Sequence, residues 1–276
     1  MNYNDIQHET WRQFHKAAME SWKRNEKIIH SAHMDNIHVL EKFSERIPTL
    51  EELSQLVSPL GWDVQYVDGY TAPWIIADLL ANKTLPVSSS IRPIDKLHFA
   101  DEPDLIHDVF GHFPILFDDS VRSRIEHWAS IAVKTPIDTL DRASFYINKA
   151  AVDKARFSSK EYEVLENTSK EIQSLIIPKP SKFSLMDRFY FWCFEFGILQ
   201  TNGNTKVFGA GLLSSLSELE KLNNDGLLAG NICLEKLNAE YEIADEQKNY
   251  LVADSFSQYD FVLRELTTDR GNLWMA

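Results

Sequence analysis

Glu102-Pro103-Asp104-Leu105-Ile106-His107-Asp108-Val109-Phe110-Gly111-His112-Phe113-Pro114 is the stretch from which the rest of the chain is read. It sets two imidazoles five residues apart. On an uninterrupted α-helix that step would turn the rings roughly 140° away from each other. The two can share a metal only if the helix stops between them. Gly111 is expected to supply the stop by turning the chain left-handed. Asp104 precedes His107 by three residues and falls on the same helical face. It is expected to hold the distal N–H of that ring; a plain first-turn carboxylate favoured by the helix dipole is the alternative. Pro103 suits the first turn, with Asp101 or Glu102 as cap.

Far along the chain a lone carboxylate sits in the aromatic run Tyr190-Phe191-Trp192-Cys193-Phe194-Glu195-Phe196-Gly197. A carboxylate in such company is costly unless it is paired or binds a cation. An ion pair with Arg188, two turns earlier, is the simpler account. The sharper one joins Glu195 to the two histidines. Two His and one carboxylate are the minimal set for a non-haem Fe(II) centre that keeps one face of the metal open. Spacing alone also describes two unrelated histidines at a helix end.

The bulk numbers narrow the setting. A chain of 276 residues can bury a sizeable core as one domain. Its net charge is −13, with 41 Asp and Glu against 28 Lys and Arg, which disfavours nucleic acid and anionic lipid as partners. Two distant cysteines, Cys193 and Cys233, make no disulfide framework and fit a reducing compartment. The first residues are polar, and no run of 18 apolar residues occurs. A cytoplasmic protein is expected.

Outward from the two key stretches, hydrophobic spacing reads as mainly α with small β elements in one domain. Residues 5–57 are helical by period, and Thr49 with Glu52 forms a capping box for 50–57. Residues 62–67 alternate as a short strand, 74–82 are helical and 87–91 form an extended loop. Further helices are expected over 119–133, 138–156, 159–176 and 184–199. A loop and short strand at 202–209, a helix from Leu213 towards Leu222, a strand at 250–253 and a helix at 257–266 complete the chain.

The histidine stretch resembles the iron-binding signature of the pterin-dependent aromatic amino acid hydroxylases, bacterial phenylalanine hydroxylases above all. Three further blocks agree in order. Leu80-Ala81-Asn82-Lys83 and Pro86-Val87, leading to Ile91-Arg92-Pro93, are similar to the substrate-loop segment. Phe194-Glu195-Phe196-Gly197, with Phe208-Gly209-Ala210-Gly211-Leu212-Leu213-Ser214-Ser215, resembles the segment holding the third ligand. Tyr241-Glu242-Ile243 and Tyr250-Leu251-Val252-Ala253-Asp254-Ser255-Phe256 are similar to the C-terminal strand region. The resemblance covers about 58–135 and 184–260. It implies the catalytic fold of the family and these roles: His107, His112 and Glu195 on Fe(II), and Arg92 clasping the carboxylate of an aromatic L-amino acid. Ser214 would lie near the metal or substrate. Asp108 and the backbone of Val67, Gly69, Tyr70 and Thr71 would hold a tetrahydropterin. O2 would be the co-substrate, and phenylalanine would become tyrosine.

The chain also departs from the pattern. Ile76 stands where bacterial relatives stack a phenylalanine on the pterin, and Trp74 faces elsewhere on the helix. Leu85 replaces an aromatic, and Phe191 a tryptophan, on the amino acid pocket wall; tryptophan hydroxylation, or attack at a non-para carbon of phenylalanine, is the alternative. Between His112 and Glu195 lie 82 residues, so 136–182 reads as a helical insertion and 1–57 as a helical extension of a single catalytic domain. Residues 1–57 are too short for the regulatory domain of animal members, so a monomer or weak dimer is expected. A metal-dependent hydrolase using the same trio and a non-catalytic amino-acid-binding homologue are the rivals from other classes.

Overall fold

The computed structural model describes residues 1–100, 102–152, 157–225, 228–239, 241–242 and 245–268; Asp101 and Ile243 lie outside them. The first helix, Asp5–Asn25, opens with a reciprocal capping box between Asn4 and Gln7. It buries Trp11, Phe14, Ala18 and Trp22 at helical spacing. This stripe does not face solvent or a separate body. Trp11, Phe14 and Trp22 close around Phe110, with ring centroids 4.8, 4.8 and 6.1 Å away. The N-terminal helix is therefore the back wall of the histidine stretch. The expected Thr49–Glu52 capping box starts the helix Leu50–Val57.

Among the described residues six short strands form three pairs. Strand β1 (Asp63–Val67) lies parallel to β2 (Thr84–Ser88), from Asp63 opposite Thr84 to Val67 opposite Ser88. The helix Pro73–Ala81 makes the crossover. The loop expected at 87–91 is thus partly strand; Pro86 is tolerated because a two-stranded sheet leaves outward N–H positions free. Strands β3 (Ile198–Thr201) and β4 (Asn204–Val207) form a hairpin turned by Asn202 and Gly203, at φ 54° and 77°. The helix expected over 184–199 therefore ends early, and β3 takes its last residues. Strands β5 (Leu228–Asn231) and β6 (Tyr250–Val252) run parallel.

Further helices among the described residues include Asp119–Ala132, Thr139–Val152, Ser159–Ile176, Lys182–Tyr190, Ala210–Ser214, Leu216–Asp225 and Phe256–Thr267. Thr139–Val152 and Ser159–Ile176 lie side by side, joined by Ser169 to Asn148 at 2.7 Å and Gln173 to Ser144 at 2.8 Å. Where one helix was expected from Leu213, two meet at Ser215. One continuous apolar core runs from Trp11 to Leu266. Among the described residues no helix is long and apolar enough to cross a membrane.

Candidate active site

The helix bearing the histidines does not stop at Gly111. The chain passes through His107–His112 as a π-turn and continues into the α-helix Phe113–Leu116. In a π-turn each backbone bond closes five residues on, so positions i and i+5 come to one face. This winding, rather than a break, brings the rings together, with centroids 5.1 Å apart. Gly111 is absent from the positive-φ glycines, which are Gly61, Gly203 and Gly230. Its small size has another reason. A Cβ there would lie 2.5 Å from the Ala210 carbonyl oxygen and 2.8 Å from the Ala210 Cβ. Only glycine lets the Ala210–Ser214 helix pass so close.

Glu195 ends a second π-turn, Phe191–Glu195. Its oxygens reach both imidazoles: Oε2 is 3.2 Å from His107 Nε2, and Oε1 is 3.2 Å from His112 Nε2. Oε2 is buried and finds no aligned hydrogen-bond donor. Burial alone would raise this carboxyl, but His112 and His107 hold it well below the usual range. Burial likewise opposes the charged form of His107, and Glu195 more than offsets it, so the ring is raised. Arg188 does not pair with Glu195; it donates to the Ala239 carbonyl at 3.0 Å and lies over the Tyr241 ring. Ligand atoms of His107, Asp108 and His112 also fall within 4.8 Å of one another. Asp108 is the weaker third donor, because its Oδ2 already accepts the Ser88 N–H at 2.5 Å and Oδ1 is 3.9 Å from His107. Burial pushes Asp108 up to about 6, against the pull of both histidines.

Asp104 does not hold the His107 ring. It sits one residue before the helix, where Oδ1 caps the His107 backbone N–H at 3.0 Å. The helix cap is therefore Asp104, with Pro103 before it. The same carboxylate grips Arg92 through Nε at 3.0 Å, Nη2 at 2.7 Å and the backbone N–H at 2.7 Å. The partner of His107 is Ser214, whose Oγ is 3.0 Å from Nδ1. Ser214 closes the Ala210–Ser214 helix instead of capping the next one, and its hydroxyl donates to the Ala210 carbonyl at 2.8 Å. At His107 it therefore accepts, which places a ring proton on Nδ1 and leaves Nε2 as the ring atom turned to Glu195.

The family model of the biopterin-dependent aromatic amino acid hydroxylases matches residues 1–146 and 166–270. The chain belongs to this family. The match takes in residues 1–57, beyond the span legible from motifs, and leaves 147–165 unmatched. The chain is 26% identical over 230 residues to the phenylalanine-4-hydroxylase of Chromobacterium violaceum, covering 82% of this chain and 63% of that enzyme. It thus spans somewhat less than two thirds of that relative. Against the phenylalanine-4-hydroxylase of Mesorhizobium japonicum it is 26% identical over 260 residues, covering 92% and 78%. A crystal structure of the Chromobacterium violaceum enzyme with bound iron(III) and 7,8-dihydrobiopterin shares the fold, at TM-score 0.68 and 23% identity, covering 98% of this chain and 84% of that one.

In this family member the trio opens onto a cavity of about 290 Å³. Arg92, Leu85, Phe191 and Ser214 all reach its wall, as do Val67, Gly69, Tyr70, Thr71 and Asp108. Ile76 lines it too, whereas Trp74 packs away, against Phe145, Tyr146 and Phe183. The structure adds Tyr241, Tyr190, Ser215 and Asp187, which the motif reading passed over. Tyr241 packs at a tilt of 37° against Phe191, with centroids 4.1 Å apart, and thickens that wall. A signal for Asp187 existed: it is an acid four residues before Phe191, beside Arg188 in the apolar-rich stretch that leads to Glu195. The donor set suits both groups of the family. Two imidazoles that turn Nε2 to one carboxylate, with Oε2 of that carboxylate buried and without an aligned donor, fit a divalent metal. A cavity edged by buried Asp108 and half-buried Asp187 fits a planar ligand rich in N–H.

Proposed function

We propose that this chain is an iron- and tetrahydropterin-dependent monooxygenase that hydroxylates the ring of a free aromatic L-amino acid, phenylalanine to tyrosine first of all. The observation that carries the reading is the convergence of two Nε2 atoms on Glu195, whose Oε2 is left without an aligned partner. His107, His112 and Glu195 hold the metal. Ferrous iron and a tetrahydropterin, when bound, supply the electrons with which O2 oxidises an aromatic carbon, one oxygen atom going to the ring and the other to the pterin. The protein does the positioning.

Arg92 is held rigid by Asp104 through Nε and Nη2, which turns its other N–H groups towards the amino acid carboxylate. Its Nη1 meets the Leu97 and Ser214 carbonyls only at 3.4 and 3.3 Å, contacts that a carboxylate readily outcompetes. Leu85 and Phe191 flank the substrate ring. Asp108 and the backbone from Val67 to Thr71 edge the pterin. The chain works as one catalytic domain, a monomer or weak dimer of the cytoplasm, consistent with its buried, unbonded Cys193.

A second reading concerns only the ring. An aliphatic Leu85 opposite a Phe191 thickened by Tyr241 leaves space that suits an indole, or a phenyl ring tilted to present another carbon. Oxygen uptake with Fe(II), a tetrahydropterin and each of phenylalanine, tyrosine and tryptophan, with products assigned by NMR, tests both. Tyrosine from phenylalanine supports the first, and 5-hydroxytryptophan or meta-tyrosine the second. No coupled uptake with any of the three sinks the proposal.

A further inference from the structure

Two residues outside the metal trio have the shape of a cofactor clamp. Tyr70 reaches the cavity wall, and its ring lies parallel to Phe145, with centroids 5.4 Å apart and planes 8° from parallel. Phe145 is buried and does not reach the cavity, so Tyr70 stands between it and the open space. Trp74 and Tyr146 pack edge-on against Phe145, at 5.1 and 5.3 Å, and fix it from behind. The Thr139–Val152 helix thus braces one face of Tyr70. Ile76, on the same wall, has no π face.

Asp187 is the second element. It lines the cavity, and among the described residues no donor is hydrogen-bonded to its carboxyl. Arg188, its neighbour, turns away to the Ala239 carbonyl and the Tyr241 ring. Burial pushes Asp187 up to about 7 against the pull of the Arg188 charge, and Asp141 and Glu195 add to the rise. Tyr70 reaches the wall of the same cavity, and its hydroxyl is raised by burial and, less, by the Asp187 charge. A half-buried carboxyl on a cavity wall, with no protein donor among the described residues, is free to accept one that a ligand brings. A phenyl ring brings none. A pterin brings several, along the edge of a flat ring that also stacks.

We propose that Tyr70 and Asp187 hold the pterin in this chain, Tyr70 by stacking on the ring and Asp187 by accepting hydrogen bonds from its N–H edge. The inference rests on the cofactor reading of the cavity and names the side chains that carry it. It gives the helix Thr139–Val152 a task, the bracing of Tyr70 through Phe145.

The test is calorimetric binding of 7,8-dihydrobiopterin to the iron-loaded full chain, with L-phenylalanine titrated into the same preparations. Tyr70→Leu, which keeps apolar bulk and removes the π face, weakens dihydropterin binding about tenfold, whereas Tyr70→Phe leaves it near wild type. Asp187→Ala weakens it by about tenfold or more, because the acceptor for the N–H edge is lost. Ile76→Phe restores affinity to Tyr70→Leu by supplying a face next to it. In turnover both weakened variants raise KM for the tetrahydropterin more than they lower kcat. Phenylalanine binding is unchanged throughout. Wild-type dihydropterin affinity in Tyr70→Leu and Asp187→Ala overturns this inference alone, as does an Asp187→Ala effect on the amino acid instead of the pterin. Failure of the wild-type chain to bind dihydropterin overturns the cofactor reading with it.

Discussion

Ser214 sets its Oγ 3.0 Å from Nδ1 of His107 while giving its own proton to the Ala210 carbonyl, 2.8 Å away. One hydroxyl thereby fixes the tautomer of a metal-facing histidine from a helix that comes late in the chain. Removing such a support typically costs about 10–100-fold in metal affinity. Ser214→Ala should therefore hold iron that much more weakly, read by competition against a chromogenic chelator, with near-normal far-UV circular dichroism. Unchanged iron affinity would mean that ring packing alone orients His107.

Glu195→Gln keeps the size of the side chain and removes its charge. The two imidazoles keep their π-turn, but the anion that faces both at 3.2 Å is gone. Iron content by atomic emission should fall to background, and oxygen uptake with it. Stoichiometric iron in this variant would point to Asp108 as the third ligand.

Gly111→Ala places a methyl group 2.5 Å from the Ala210 carbonyl oxygen. Overpacking of this kind costs about 1–3 kcal/mol. The variant should melt lower and lose iron together, because the displaced helix carries Ser214. Ala210→Gly in the same chain relieves the contact at 2.8 Å but leaves the carbonyl in place, so the rescue should be partial.

Asp104→Ala strands Arg92. The pair is almost sealed from water, with side chains 3% and 4% exposed. Breaking a buried pair by removing one partner costs about 3–5 kcal/mol. Denaturant unfolding should show a loss of that order, and any folded fraction should bind the amino acid poorly, since Arg92 is then free to swing. A loss below about 1 kcal/mol would mark the pair as one that water already screens.

Asp187 predicts a pH effect. Burial raises its folded-state value to about 7 from an ordinary 3.8, so the folded chain favours the neutral acid. Its contribution to stability is whole below the unfolded value and is lost as pH rises through about 7. Asp187→Asn should therefore stabilise the iron-free chain near pH 8, by an amount on the order of a few kcal/mol, and make little difference near pH 4. Equal stability of the two chains across this range would show that water reaches the carboxyl.

Much of the frame was legible because it rests on local rules. The crossover helix at 73–81, the Thr49 capping box and the helices at 119–132 and 159–176 follow from period and cap chemistry. Missed elements had signals too weak or non-local to read. Strand β2 needs β1 as partner across a crossover, and β5 needs β6. The hairpin after Glu195 was signed by Asn202-Gly203, a dipeptide that outweighs the helical period before it. At the site, Asp104 was assigned to the wrong ring because sequence spacing places it on the correct face but cannot see Arg92, which claims both of its oxygens.

Side-chain type and order, by themselves, determined the chemistry available here: two imidazoles, one carboxylate in aromatic surroundings, and one guanidinium upstream. What only the tertiary structure decided was their aim. Nothing in local propensity favours a helix that winds by five residues over one that winds by four. Here the five-residue winding goes with contacts such as Ala210 against Gly111, made by residues from far along the chain, and that winding turns rings that would have diverged onto a single carboxylate.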